Sequence, residues 1–180
     1  MGKPVTINQE GSVDAVPVID YVHQKIHEGH CFTANHYVSV GSGTAVTVLI
    51  TPPAAGSGRE MHFVGSFQSN NTGVFTLSEN PVTTAGTLLT ALNNDRAEAV
   101  NHPDPMVLSH TVAVGAASVG TVLETIISTS TATAQQKIGA TGETRNEWIL
   151  DGAYRYLMRF VADNASTRVV FTLNYYYEDK

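Results

Sequence analysis

Two segments near the C-terminus restrict the fold more than anything else in the chain. In Tyr154–Ala162 one parity carries Tyr154, Tyr156, Met158 and Phe160, and the other carries Arg155, Leu157, Arg159 and Val161. In Arg168–Tyr177 one parity is Val169, Phe171, Leu173, Tyr175 and Tyr177, while Val170, Thr172, Asn174 and Tyr176 occupy the other. A period of two is that of a strand with one buried face, because successive side chains point to opposite sides. Asp163-Asn164-Ala165-Ser166 between them supply Asx and Ser turn chemistry. The pair is therefore expected to form a β-hairpin.

The same punctuation recurs upstream. Thr33–Val40 and Ala45–Thr51 flank Gly41-Ser42-Gly43, expected as a second hairpin turn. Pro52-Pro53 should end the second of these strands, since proline cannot donate to a ladder. Met61, Phe63, Gly65 and Phe67 alternate with Glu60, His62, Ser66 and Gln68. Val74–Glu79, Thr87–Leu92, Met106–Val114 and Thr121–Thr129 continue the series. Leu88–Val100 and Ala132–Ile138 are also open to a helical reading. About ten strands without βαβ alternation indicate an all-β, jelly-roll-like antiparallel β-sandwich. Gly2, Pro4, Gly11 and Pro17 break any periodicity near the start, so residues 1–18 are expected to be an extended N-terminal arm. Residues 19–180 are expected to form one sandwich domain.

Composition supports this class and narrows the function. Only 14% of the 180 residues are charged, against about a quarter in an average domain. Thr and Val, with 21 of each, and 12 Ser fill the gap. Lys occurs only at 3, 25, 137 and 180. A surface of hydroxyls and amides suits a protein that meets other proteins in an assembly. A net charge of −6 argues against non-specific nucleic-acid binding. A single cysteine, Cys31, leaves no intrachain disulfide framework. Met1–Gln9 lacks a signal-peptide core, and no run reaches the roughly 18 apolar residues of a membrane span. No membrane partner is expected. The triplets Asn70-Asn71-Thr72 and Asn164-Ala165-Ser166 are read as chance matches to a glycosylation pattern in an Asn- and Thr-rich chain.

Candidate chemistry is sparse. On a helix His23, His27 and His30 would share a face and could hold zinc; on a strand His30 would point away. Ile19, Tyr21, His23, Lys25 and His27 read as one row of a strand and Val22, Gln24, Ile26 and Glu28 as the other, which disfavours metal. His27-Glu28-Gly29-His30 is one residue short of the zincin pattern. There is no GxSxG elbow, and Cys31 and His30 would lie on opposite strand faces. Glu124, Glu143, Glu147, Asp151 and Asp163 follow no pairing rule, whereas acid–base work needs two carboxylates about 5–10 Å apart. Gly41-Ser42-Gly43 and Gly56-Ser57-Gly58 lack the continuation of a phosphate loop and read as turns. Tyr175, Tyr176 and Tyr177 have only Arg168 and Lys180 as basic company, which favours packing over base stacking. No catalytic, cofactor-binding or metal-ligating residue, and no cofactor, is expected. The chain does not read as an enzyme.

Five short stretches carry a likeness to a known family: IHEG at Ile26–Gly29, NNDR at Asn93–Arg96, GETRNEWIL at Gly142–Leu150, YRYLMRF at Tyr154–Phe160 and NYYYE at Asn174–Glu178. Over about residues 19–178 the chain resembles the head decoration, or capsid cement, proteins of tailed bacteriophages. The resemblance implies a jelly-roll-like sandwich that binds the major capsid protein as a homotrimer at threefold positions. It also implies a place on the virion exterior after synthesis in the host cytoplasm. The alternative is a trimeric receptor- or carbohydrate-binding module of a phage fibre. That reading calls for an exposed aromatic platform, and the sole tryptophan, Trp148, is flanked by Ile149 and Leu150 as in a core strand.

Overall fold

The computed structural model describes residues 21–84, 86–97, 104–114, 118–129, 134–137 and 147–180; the expected arm over 1–18 lies outside them. One helix, α1 (Tyr21–His27), precedes β1 (Cys31–Val40), β2 (Ala45–Thr51), β3 (Arg59–Ser69), β4 (Gly73–Glu79), β5 (Thr87–Leu89) and β6 (Leu92–Asn93). Then follow β7 (Val107–His110), β8 (Thr121–Ser128), β9 (Ala134–Lys137), β10 (Trp148–Leu150), β11 (Tyr156–Ala162) and β12 (Thr167–Asp179).

The strands form two antiparallel sheets packed as a sandwich. Sheet A runs β10-β3-β12-β1-β6, with β9 also on β3, and sheet B runs β5-β7-β2-β11-β4-β8. Stripped of β5, β6 and β7, one layer is β1, β12, β3 and the broken strand β9/β10. The other layer is β2, β11, β4 and β8. That is the order of an eight-stranded jelly roll. The segment between β4 and β8 widens both layers, placing β6 beside β1 and β7 beside β2.

Both expected hairpins are corrected. β11 pairs with β2 and β4 in sheet B, whereas β12 pairs with β1 and β3 in sheet A. Likewise β1 lies in sheet A and β2 in sheet B. The turn chemistry at 163–166 and 41–43 is real, but it makes corners between layers. Gly43 N donates to Ala162 O (2.7 Å), Ala162 N to Thr44 O (3.2 Å) and Asp163 N to Thr72 O (3.1 Å), so three corners lock together. The physical reason is burial. In a hairpin the inward rows of β11 and β12 would lie side by side on one face. Crossing the sandwich lets Tyr156, Met158 and Phe160 oppose Phe171, Leu173 and Tyr175 through a shared core. At its centre Phe67 stacks on Phe75 with centroids 4.7 Å apart, and Phe75 meets Phe171 edge-on at 6.0 Å.

Residues 21–27 are a helix, not the strand expected over 19–28. The helix stops where Gly29 takes a φ of 71°. Gly29 N bonds Ile26 O (2.9 Å) and His30 N bonds Lys25 O (3.0 Å), a Schellman cap that glycine makes without strain. Lys25 and His27 in the last turn face the negative end of the helix dipole. The helical option for Leu88–Val100 and Ala132–Ile138 is not taken where the chain is described: β5, β6 and β9 lie in those stretches, and 98–100, 132, 133 and 138 lie outside the described residues. Met106–Val114 is a strand only over β7. Thr111, at a φ of 57°, turns the chain onto the outer face of sheet B. There Thr47 Oγ1 donates to Val112 O and accepts from Val112 N, both at 2.9 Å. Val112, Leu49 and Leu157 form a small second core beneath that loop.

Candidate binding surfaces

Helix α1 lies on the outer face of sheet A, where the even-numbered residues of β12 and β3 point. Tyr176 is outward by parity yet only 7% exposed, because α1 and Glu147 cover it. The Tyr21 ring meets it edge-on at 6.0 Å, and Tyr21 Oη donates to Glu178 Oε1 (2.6 Å). The His62 ring stacks flat on Tyr176, centroids 4.6 Å apart and 8° from parallel. His62 Nδ1 lies 2.7 Å from Glu147 Oε1, and Nε2 lies 3.4 Å from Glu178 Oε1. Burial, then the Glu147 hydrogen bond, pushes the Tyr176 phenol well above its usual range. Beside the cluster a cleft of about 230 Å³ opens between Val22, Val64, Asn94, Glu147 and Tyr176. His62, Glu147, Tyr176 and Glu178 gather here, although His62 Nε2 and Glu147 Oε1 are buried without a hydrogen bond. The arrangement fastens α1 and β10 to β3 and β12.

The residues singled out in the sequence separate. His23 and His27 share the exposed side of α1, with Nε2 atoms 3.0 Å apart. His30 leaves them: its ring stacks on Tyr177 at 4.2 Å, and Nδ1 lies 3.6 Å from Glu28. Among the described residues no three His, Cys, Asp or Glu side chains gather as a metal site. Cys31 is buried beneath α1, its Sγ 3.8 Å from Val22 O. Of the scattered carboxylates, Glu147 joins the His62 cluster and Glu124 sits on β8. Asp151 caps the turn that Ala153 N closes on its Oδ1 (2.9 Å). Asp163 is in the β11–β12 corner, and Glu143 lies outside the described residues. The two glycosylation-type triplets meet at the same end of the sandwich, where Asn164 Nδ2 donates to Thr72 Oγ1 (2.8 Å) and Asn70 Oδ1 accepts from Arg168 N (2.6 Å). Tyr175 and Tyr177 face the core. Trp148 is half-buried against the core on a short edge strand, while its neighbour Ile149 is 59% exposed.

Two features were not anticipated. The first is the middle of the outer face of sheet A. Ser39, Tyr37, Asn35 and Thr33 of β1 lie opposite Arg168, Val170, Thr172 and Asn174 of β12, which in turn lie opposite Gln68, Ser66 and Val64 of β3. Apart from Arg168 at its end, this three-strand face carries no charge. Tyr37 stands 61% exposed there, beside a shallow hollow of about 170 Å³ bordered by Gln68, Asn70, Arg168 and Val170.

The second is a histidine pair joining the sheets. His36 of β1 stacks on His110 of β7 with centroids 4.4 Å apart. Burial, with the neighbouring His110 charge, holds His36 below the ordinary imidazole range. A depressed pKa means that the unfolded chain protonates first as pH falls. Full stability should therefore persist above about pH 6.5 and decline below it. In urea melts from pH 7 towards 5, the wild type should lose more stability than His36→Gln; equal slopes would contradict this.

Opposite, Tyr175 Oη donates to Asp104 Oδ2 (2.6 Å), and burial raises the Asp104 pKa despite that bond. Tyr175→Phe should cost about 1–2 kcal/mol in the same melts. No loss would mean that the carboxylate is already satisfied by water and by Met106 N.

Among the described residues no helix is long and apolar enough to cross a membrane. Compared with protein-family models, curated proteins and solved structures, the chain finds no match.

Proposed function

We propose that this protein is a structural virion component that binds the outer surface of a phage capsid as a homotrimer and stabilises the head. The observation that carries the reading is the β1–β12–β3 part of sheet A, uncharged except for Arg168 at its end, with Lys137 of β9 in register beside Ser66. Interface cores are depleted in Lys, Glu and Asp and enriched in tyrosine, and the Tyr37 face has that composition over three adjacent strands. The rim of sheet B adds a second indication. β8 ends that sheet, with Val122 48% and Ile127 65% exposed. Among the described residues this edge carries Val122 and Ile127 without Lys or Pro, interrupted by Glu124 and by a register shift at Leu77/Ser78, so its apolar positions are open to a partner only in part. A trimer at a threefold position engages several capsomers at once, so modest contacts combine through effective concentration. Such a clamp needs no chemistry. Light scattering on the purified chain should give three times the 19.2 kDa protomer mass. A monomer at micromolar concentration would overturn the trimer.

A second reading rests on Tyr37 itself. An exposed ring beside Gln68, Asn70 and Arg168 is a platform of the kind that stacks on a sugar, which Trp148, packed against the core, does not supply. Specific hits on a glycan array, lost in Tyr37→Ala, would favour a carbohydrate-binding module over the capsid clamp.

A further inference from the structure

A helical α1 places His23 and His27 one turn apart on one face. Their Nε2 atoms share a hydrogen bond at 3.0 Å and their rings stand at 81° to each other; a bound ion replaces that bond once the donor ring moves its proton to Nδ1. Two imidazole nitrogens bound at about 2.0–2.1 Å to one ion lie about 2.8–3.0 Å apart at a right angle, and about 3.3–3.4 Å apart in a tetrahedron. The observed spacing is that of adjacent corners of a square-planar or tetragonal site, the geometry of Cu²⁺ and Ni²⁺. Both rings are on the exposed side of the helix.

The helix that carries them is held at both ends. Tyr21 is fixed to Glu178 and packed on Tyr176 at the start, and the Gly29 cap closes the finish. The backbone that sets the imidazole spacing is thus ordered before any ion arrives, which lowers the entropic cost of chelation. His30 takes no part, being stacked on Tyr177.

We propose that His23 and His27 form a two-imidazole chelate for a divalent transition-metal ion, Cu²⁺ first, then Ni²⁺, both ahead of Zn²⁺, with water in the remaining positions. Titration of the full chain with CuCl₂ in a non-coordinating buffer at neutral pH should show one saturable site of micromolar affinity. The paramagnetic resonance spectrum of bound Cu²⁺ should carry two imidazole nitrogens. His23→Gln and His27→Gln, both exposed and compatible with a helix, should each weaken binding by roughly tenfold or more, as loss of one arm of a chelate requires. His30→Gln should leave it unchanged. Absence of saturable binding below millimolar Cu²⁺ would overturn the site, as would unchanged affinity in the doubly substituted His23→Gln, His27→Gln chain.

Discussion

Phe75→Ala should destabilise the fold by about 3–5 kcal/mol. Phe75 is fully buried on β4 and touches both layers of the sandwich: it stacks on Phe67 of sheet A and meets Phe171 of the same sheet edge-on. Removing it deletes the apolar transfer term and leaves a cavity between two hydrogen-bonded sheets that cannot easily move together. Its backbone is held on both sides, opposite Phe160 of β11 and Ile126 of β8, so the ladder itself resists collapse into the gap. Urea denaturation is the measurement. Val82→Ala, 67% exposed on the segment after β4, is the internal comparison and should stay within about 0.5 kcal/mol of wild type. Equal effects at the two sites would show that the core is not where these sheets place it.

The second large effect concerns binding. Thr172 is at the centre of the uncharged face, opposite Asn35 and Ser66, and its Oγ1 donates to Asn35 Oδ1 (2.9 Å). Thr172→Lys sets one ammonium where no carboxylate of β1, β3 or β12 faces it. In the free protein the long side chain can reach water, so stability should fall by no more than about 1 kcal/mol. Against a capsid the same charge would be buried unpaired, at a cost of several kcal/mol. Since about 1.4 kcal/mol is tenfold in affinity, capsid binding should weaken by roughly 100-fold or more. Unchanged binding by a folded Thr172→Lys variant would remove this face from the interface and with it the main support for the proposed function.

What the residues alone disclosed, and what they did not, follows from the range of each interaction. Alternation along β3, β11 and β12 marks strands and their buried faces, because parity is local. It is silent on which sheet a strand joins. The inward row of β11 is equally satisfied beside β12 or across the core from it, so the 163–166 turn was legible as a turn and misread as a hairpin. Helix α1 was within reach of local reasoning. Gly29 after the basic pair Lys25 and His27 is a helix stop, and the polar alternation over 19–28 obscured it. The His62–Glu147 pair joins residues far apart in sequence, and the exposure of Tyr37 depends on its neighbours on β12 and β3. Neither has a signature in the linear chain. The low charge was visible from the outset; its concentration away from one sheet face needed the strand register.

The proposed function rests finally on contact with a shell. The most direct measurement is sedimentation of the purified chain with empty, mature-form heads assembled from the major capsid protein proposed as its partner. The protein should pellet with the heads, saturate at three copies per threefold position, and raise the temperature at which they come apart. A protein that stays in the supernatant at concentrations well above micromolar, with the heads no more stable than before, would contradict it.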